Sequence, residues 1–389
     1  MGNELDHGVS ADSEPTVSMT RRKFTMIAGA TVLAGWQASS AQARTKGVSL
    51  VLTPSNLGLR PTESGGQPGT WRAPQVLMDA GLARALDAEE IVSLERPVYE
   101  FEAQPGTRIR NGLSIRAISL QLSEQVRDIL QRNRFPVVVG GDCSILLGSL
   151  HGMRRAGGRG LVHIDGHSDF FHPGNYDTAK RLGSAAGMDL ALASGRGEPL
   201  LTDWPEIGKP LASDADIIQL GERDAESPSF KDYYGDITRT EITQFTIQRV
   251  LTDGVDTTAR RVIAKLEARE LDRVWLHVDL DVLDQSVMSA VDSPGSPGLD
   301  YLQLTELVGA LCASGRIVGT NFTIYDPERD PEARYASPLV RCIANGIRSR
   351  AGMRQKRARR PELDQPSAYT GPFHFRKVVR DEKSDSAMS

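Results

Sequence analysis

Cysteine, net charge and long apolar runs are all scarce in this chain, and each shortage argues against a class of protein. The three cysteines, Cys143, Cys312 and Cys342, form no close-spaced pair, so neither a disulfide framework nor a zinc ribbon is indicated. A formal net charge of -4 over 389 residues does not indicate the excess of basic residues that is typical of nucleic-acid-binding proteins. The apolar stretch at residues 27–36 is far shorter than the roughly 20 residues that a membrane span needs, so we expect no integral membrane protein.

Short apolar runs alternate with helix-patterned stretches through the middle of the chain. Strands that alternate with helices predict a mainly parallel sheet covered by helices on both faces. The predicted fold class is therefore α/β, with three α/β/α layers in a single domain at residues 44–347. The runs lie at residues 48–52, 136–139, 161–164, 217–220, 274–278 and 317–324, and the helical patterns include 115–132 and 258–269.

Two short acidic clusters each follow one of these apolar runs directly. Asp165, His167 and Asp169 follow the run at 161–164, and Asp279 and Asp281 follow the run at 274–278. Alternate side chains of a strand point to the same side, and open parallel sheets bind ligands beyond the carboxyl ends of their strands. We therefore expect both clusters to meet in one pocket.

Four carboxylates in one pocket repel one another unless cations lie between them, so the two clusters predict a site for two divalent metal ions. Oxygen ligands with one or two softer ones favour Mn, with Fe, Co, Ni or Zn as alternatives. Two ions roughly 3.5 Å apart would hold a bridging hydroxide as nucleophile. Asp and Gly are also common in turns and helix caps, so either cluster alone would fit an ordinary loop.

Three segments resemble the ordered metal motifs of the ureohydrolase family, which contains arginase, agmatinase and formimidoylglutamase. They are Gly140-Gly-Asp-Cys-Ser144, Asp165-Gly-His-Ser-Asp169 and His277-Val-Asp-Leu-Asp-Val-Leu-Asp284. The resemblance extends over about residues 48–347 and includes Gly221-Glu-Arg-Asp224 and the Pro- and Gly-rich stretch 293–299. It implies a divergent, arginase-like member with the three-layer fold of that family.

The resemblance also implies a role for each matching residue. Asp165 and Asp279 would bridge the two metal ions. Asp169 would complete one site and hydrogen-bond the bridging hydroxide, while His167 and Asp281 would complete the other. Asp169 and Asp281 are accordingly predicted to be catalytic residues as well as metal ligands.

Three positions depart from the family pattern. Cys143 stands where the family has a His ligand; we predict that its thiolate binds metal, which adds weight to Zn, Fe or Co, although a lone cysteine is more often a small buried apolar residue. Ala186 stands where arginases place a proton-shuttling His. Ile324 stands where a Glu would bind the guanidinium, and that loss removes a charge-assisted hydrogen bond of roughly 1.5–3 kcal/mol.

Nearby polar residues are candidates to supply what is missing. His172 follows the second motif closely enough to act as general acid or base, although a histidine in a surface loop is the alternative. Asp326 or Glu328 could contact the guanidinium. Glu226 stands where family members bind a substrate amine, and Asn175 completes the predicted substrate-binding set with Glu226 and Asp326.

The N-terminal segment resembles a twin-arginine export signal. Thr20-Arg-Arg-Lys-Phe-Thr-Met26 precedes the short apolar stretch, and Ala41-Gln-Ala43 follows it as a small-x-small cleavage sequence. We predict a signal at residues 1–43, passage of the folded protein through the twin-arginine export machinery, and a periplasmic or extracellular location. Two adjacent arginines can also precede an apolar stretch by chance. Residues 348–389, with a basic run at 354–360, are expected to form a flexible tail.

The combined prediction is a binuclear metal-dependent hydrolase that cleaves a C–N bond of a small guanidino or amidino substrate and releases urea or a urea analogue. The departures at Ala186 and Ile324 leave a modified substrate such as N-hydroxyarginine as an alternative. A non-catalytic exported metal-binding protein and the hydrolysis of a linear amide are the remaining alternatives. The resemblance favours a homo-oligomer, either a trimer or a hexamer.

Overall fold

A computed structural model describes residues 46–226 and 235–350 of the protein. The predicted export signal at 1–43 lies outside these residues, as does the predicted tail from residue 351 onward. Among the described residues, no helix combines the length and the apolar character that crossing a membrane requires.

Within the part of the chain that the structure describes, eight parallel strands form one sheet. The strands are β1 (Lys46–Thr53), β2 (Ala88–Ser93), β3 (Arg134–Gly140), β4 (Leu161–Ile164), β5 (Ile217–Leu220), β6 (Thr243–Phe245), β7 (Val274–Asp279) and β8 (Ile317–Thr323). Their order across the sheet is β2-β1-β3-β8-β7-β4-β5-β6. All six predicted strands are present, and the mainly parallel sheet is confirmed.

Helices cover both faces of this sheet. They are α1 (Ala73–Asp79), α2 (Leu82–Leu86), α3 (Gly112–Gln131), α4 (Ile145–Arg155), α5 (Asp189–Ala193), α6 (Pro199–Thr202), α7 (Ile247–Asp253), α8 (Val255–Ala268), α9 (Tyr301–Ala313) and α10 (Ala336–Arg348). Helices α3 to α6 contribute to one apolar core and the remaining six to the other. The predicted three-layer α/β/α fold is therefore confirmed.

Successive residues of each strand face opposite cores, because side chains alternate along a strand. In β1, Leu50 and Leu52 belong to one core and Val51 to the other. Strands β4, β5 and β7 are buried at every position, as expected for parallel strands covered on both sides, whose sequences are mainly apolar.

Two strands were not predicted from the sequence, and both lie at the edges of the sheet. Strand β2 has the sequence Ala-Glu-Glu-Ile-Val-Ser, and its residues alternate between half-buried and exposed. Strand β6 has three residues. Edge strands are often short or charged, so neither gives the continuous apolar run that marks the buried strands.

Strands β3, β8, β7 and β4 are consecutive neighbours in the sheet. The segments that follow them therefore emerge side by side at the carboxyl edge, although they are far apart in sequence. All three predicted metal motifs belong to these segments, which is why the fold brings them together.

Candidate metal centre

The loop after β3 presents Cys143 to the carboxyl edge. A side chain at Gly141 would place its Cβ 1.5 Å from the carbonyl oxygen of Ser55, so only glycine allows this close approach of two backbones. The next residue, Asp142, accepts hydrogen bonds from the Ser55 hydroxyl at 2.7 Å and the Gly58 amide at 3.0 Å. Asp142 therefore holds the loop in shape, and Cys143 is the residue of the motif that faces the pocket.

Cys143 lies in direct contact with the second acidic cluster. Its Sγ donates to Oδ2 of Asp279 at 2.6 Å and lies 3.2 Å from the hydroxyl of Thr323. Burial and the charge of Asp279 raise the pKa of the Cys143 thiol well above its ordinary value. A cation at this point would reverse that shift, because a coordinating thiol loses its proton.

Backbone amides orient the carboxylates that follow β4 and β7. The amide of His167 donates to Oδ1 of Asp165 at 2.6 Å, and the amide of Asp281 donates to Oδ1 of Asp279 at 2.7 Å. The amide of Gly166 donates to Oδ1 of Asp281 at 3.0 Å. The other oxygen of Asp165, Oδ2, is buried without a hydrogen-bond partner among the described residues.

Burial and mutual repulsion govern the protonation of this cluster. They raise the pKa values of Asp165, Asp169 and Asp279 well above the ordinary value. Burial would also raise the pKa of Asp281, but the neighbouring His167 outweighs it and lowers that pKa; the His167 Nδ1 lies 2.9 Å from Oδ2 of Asp281. The aspartates are therefore costly to ionise together unless a cation is present.

The six predicted ligands fit a pair of divalent ions. Ligand atoms of Asp165, His167 and Asp169 lie within 4.8 Å of one another, and so do those of Asp165, Asp279 and Asp281. The Sγ of Cys143 also lies within 4.8 Å of a carboxylate oxygen of Asp279 and of one of Asp169. Buried carboxylates, one imidazole, one thiol and an unpartnered carboxylate oxygen are the donors that such ions require.

His172 and Asn175 belong to the hydrogen-bond network of their own loop. The Nε2 of His172 lies 3.4 Å from Oδ2 of Asp236, and its Nδ1 accepts from the Gly174 amide at 3.1 Å. Asn175 accepts from the His172 amide at 2.9 Å and donates to Asp236 at 3.1 Å. Neither residue is among the described side chains that line the pocket, and their catalytic and substrate-binding roles stay predictions.

Asp326 caps the short 3-10 turn Pro327–Arg329, which follows the end of β8. Its carboxylate accepts from the amides of Gly69 and Glu328 at 3.2 and 2.9 Å, and it is not among the described pocket-lining residues. Glu328 pairs with Arg72 at 3.0 Å. The backbone of Glu226 ends a short 3-10 turn (Asp224–Glu226), and its side chain lies outside what the structure describes.

The pocket above the acidic cluster has apolar, aromatic and charged walls. Ala186 and Ile324 both line it, so neither position offers a proton donor or a carboxylate there. Ile324 has φ 74°, a left-handed conformation that is strained for a branched side chain. Arg181 lies 5.0 Å from the ring centroid of Phe171 and 4.9 Å from that of Tyr176.

Three buried residues behind the cluster were missed by the sequence analysis: His163, His277 and Asp189. The two imidazoles stack with centroids 4.6 Å apart, and both face Asp189. Burial lowers the pKa of each histidine to about 3, so both are neutral. Each histidine stands two residues before a ligand, Asp165 or Asp279, and that repeated spacing was the available signal.

The parallel α/β/α fold and the converging ligands define a metal-binding protein of the two-metal hydrolase class. The family model described as "Arginase family" matches residues 48–345, and the chain belongs to that family. The arginase of Bacillus caldovelox is 29% identical over 306 residues, which cover 76% of this chain and 96% of that protein.

Solved structures share the fold. The crystal structure of the arginase from Bacillus cereus superposes with a TM-score of 0.65 at 24% identity, covering 78% of this chain and 98% of that one. The formimidoylglutamase of Bacillus subtilis superposes with a TM-score of 0.57 at 17% identity, covering 78% and 87%. These structures confirm the fold, and the family model confirms the predicted membership in the ureohydrolase family.

Proposed function

We propose that this protein is a metal-dependent ureohydrolase that cleaves a C–N bond of a small guanidino or amidino compound and releases urea or a urea analogue. One observation carries the proposal. Three sequence motifs, distant along the chain, place Cys143, Asp165, His167, Asp169, Asp279 and Asp281 together at the carboxyl edge of an arginase-family fold.

Different residues of the site would hold the metal ions and transfer protons. Two divalent ions, when bound, supply an activated water and stabilise the negative charge that develops during attack on the amidino carbon. Asp165 and Asp279 are oriented by backbone amides toward the centre of the cluster, which suits them to hold both ions. Asp169 lines the pocket and is placed to take a proton from the attacking water and return it to the leaving amine.

The upper walls of the pocket suit a substrate with charge at both ends. Asp292 is the one lining acid, among the described residues, that is not a predicted metal ligand, and it is suited to a substrate cation. Arg60 and Arg181 also line the pocket and are suited to a substrate carboxylate. Amino-acid-derived guanidino compounds combine these groups, which supports arginase-like or agmatinase-like substrates.

A modified substrate such as N-hydroxyarginine is the second candidate. Ala186 and Ile324 line the pocket where family members have a proton-shuttling His and a guanidinium-binding Glu. A leaving group that needs less help from a proton donor would tolerate Ala186, and a substrate less dependent on the guanidinium contact would tolerate Ile324.

Urea release from a panel of guanidino, N-hydroxyguanidino and amidino compounds tests the proposal. The purified protein would be loaded in turn with Mn, Co, Ni, Fe and Zn, and its bound metal measured. We expect turnover of one class with about two ions per chain. Asp169→Asn should abolish turnover, while Asp177→Asn, at an exposed aspartate, should not.

Other outcomes separate the alternatives. Two bound ions without turnover of any compound would favour a non-catalytic metal-binding protein, and ammonia or amine release from linear amides without urea would favour amide hydrolysis. No bound metal would refute the proposal. Mn is the first ion to test because of the family, and Zn, Fe, Co and Ni follow because Cys143 is a soft ligand.

We also propose export by the twin-arginine route and a trimeric or hexameric assembly. The support for export is the sequence from Thr20 to Ala43, and the support for assembly is the family resemblance. Replacing Arg21 and Arg22 by Lys should retain the protein in the cytoplasm, as measured by cell fractionation. Light scattering of the purified protein measures the assembly, and a monomer would contradict that part.

A further inference from the structure

Asp189 is a buried carboxylate for which the proposed reaction has no use. It begins helix α5, its side chain is fully buried, and its Oδ2 has no hydrogen-bond partner among the described residues. A buried carboxylate oxygen without a partner carries a desolvation cost that a cation would relieve.

Asp189 faces the Cys143 side of the metal cluster. One carboxylate oxygen of Asp189, the Sγ of Cys143 and a carboxylate oxygen of Asp169 all lie within 4.8 Å of one another. Metal–sulfur bonds of roughly 2.3 Å and metal–oxygen bonds of roughly 2.0–2.2 Å place three ligand atoms around one ion about 3.5–4 Å from one another. A small contraction would therefore let one ion contact all three side chains.

The protonation of His277 follows from its neighbours. The indole N–H of Trp275 donates to Oδ1 of Asn321 at 2.6 Å, and because indole can only donate, the amide is oriented with its Nδ2 toward His277. That Nδ2 lies 2.7 Å from Nδ1 of His277, so Nδ1 accepts. The proton of the neutral ring is therefore on Nε2, which faces Oδ2 of Asp189 at 3.6 Å.

His163 forms a hydrogen bond with the same carboxylate. Its Nε2 lies 3.2 Å from Oδ1 of Asp189 and 3.6 Å from Oδ2 of Asp165. Both neighbours are acceptors, so the proton of the neutral ring belongs on Nε2. With these N–H groups facing Asp189, we assign both histidines as its neighbours and not as metal ligands. His163 donates to Oδ1, whereas Nε2 of His277 faces Oδ2 from beyond hydrogen-bond distance and leaves that oxygen without a partner among the described residues.

We propose that Asp189 is an additional ligand of the metal ion that Cys143 binds, positioned by His163 and His277. In this chain a thiolate and a further carboxylate take the place of one neutral imidazole. The ion on that side therefore faces more negative charge than the matching motifs alone indicate. The proposal rests on the proposed function only for the presence of metal.

Cobalt binding to the full-length protein tests this assignment. Co²⁺ would be titrated into the metal-free wild-type protein and Asp189→Asn against a competing chelator. We expect Asp189→Asn to lower the affinity for the ion at Cys143 by roughly tenfold or more. Replacing residues that hydrogen-bond to metal ligands typically lowers metal affinity 10–100-fold. The thiolate-to-cobalt absorption band should shift or weaken, while the other ion still binds.

Thermal unfolding distinguishes a lost ligand from a damaged fold. Without metal, Asp189→Asn should be at least as stable as the wild type, because it removes a buried charge, whereas its stabilisation by Co²⁺ should be smaller. Asp216→Asn is the matched control. Asp216 is also buried, but it lies at the opposite end of the sheet from the metal cluster and forms an ion pair with Arg269 at 2.7 Å. Its cobalt affinity should match the wild type.

Wild-type cobalt affinity and spectrum in Asp189→Asn would overturn the proposal. If that variant does not fold, a crystal structure of the metal-loaded wild type decides: an Asp189 oxygen roughly 2.0–2.2 Å from an ion supports the assignment, and one beyond about 3 Å overturns it. Because these measurements report metal binding, failure to release urea would refute the proposed function and leave this proposal standing.

Discussion

Removing the metal ions should make the folding stability of this protein fall as the pH rises above about 6.5. Burial raises the pKa of Asp189 from 3.8 to about 7, and burial with mutual repulsion raises those of Asp165, Asp169 and Asp279 well above their ordinary value. A carboxyl group with a raised pKa binds more protons in the folded state. Its contribution is complete below pH 3.8 and is lost as the pH rises through the folded-state pKa.

The buried histidines oppose this trend at lower pH. Burial lowers the pKa of His163 and His277 from 6.5 to about 3, so the unfolded chain binds more protons between those two values. The two histidines therefore make the free energy of unfolding rise with pH from about 3 to 6.5. Above pH 6.5 their contribution no longer changes with pH. From pH 6.5 to 8.5 the slope comes mainly from the carboxyl groups. Despite its burial, His167 has a pKa that Asp281 raises, so it adds to the slope, and so does the buried Cys143 thiol as the pH approaches 8.5.

The size of the effect follows from the number of protons retained. Each proton that the folded state holds in excess lowers the free energy of unfolding by about 1.4 kcal/mol per pH unit. One or two such protons give a slope of about 1.4 to 3 kcal/mol per pH unit. For a domain of this size, about 2 °C of melting temperature corresponds to 1 kcal/mol, so we expect a fall of about 3 to 6 °C per pH unit.

Calorimetry of chelator-treated and metal-loaded protein across this interval measures the slope. Loaded protein should show a flat or rising melting temperature, because bound cations keep the carboxylates ionised and metal affinity increases with pH. Buried groups outside the site, such as Asp142 and Asp326, titrate alike in both forms and cancel. In the chelator-treated Asp189→Asn variant, the free energy of unfolding should fall less steeply with pH, by up to the slope that one retained proton contributes. Equal slopes for chelated and loaded wild-type protein would refute the reasoning.

Three further predictions concern single residues. Cys143→His should move the metal preference toward Mn. Elemental analysis of the protein after equilibration with equal concentrations of Mn and Zn measures this preference. An unchanged preference would contradict the role of Cys143 as a metal ligand. Arg223→Ala removes a hydrogen bond to the backbone carbonyl of Asp281. It should lower the affinity of one metal site by roughly 10–100-fold, as measured by competition with a chelator. An unchanged affinity would show that Arg223 does not support Asp281 as a ligand. Leu276→Ala, at a fully buried position of β7, should cost about 2–5 kcal/mol in urea unfolding, while the exposed Leu302→Ala should stay within about 0.5 kcal/mol.

The central part of the fold and the predicted metal ligands were accessible from the sequence. Strands such as β4 and β7 are buried on both faces, so they appear as mainly apolar runs, each with one buried histidine, that lead to Asp165 and Asp279. The position of a ligand just after a strand is a local property. Parallel strands then place every such residue at the same edge of the sheet.

Residues without a local pattern were not predicted from the sequence, or their predicted roles stay predictions. Strand β2 is half-exposed and charged, so its sequence does not resemble a buried strand. His172 has the chemistry of a general acid, but the fold directs its ring to Asp236. Its proximity in sequence to Asp169 carried no information about direction, because the chain turns after Asp169, where φ is 45°.

The sequence by itself determined the parallel α/β architecture, the metal motifs and the departures at Cys143, Ala186 and Ile324, since these depend on residue type and on spacing within single strands and loops. Only the tertiary structure decided that Asp189, on a separate helix, lies between His163 and His277 and beside Cys143. Strand order and helix packing bring these residues together, and the resulting contacts between distant segments leave no period or spacing in the sequence.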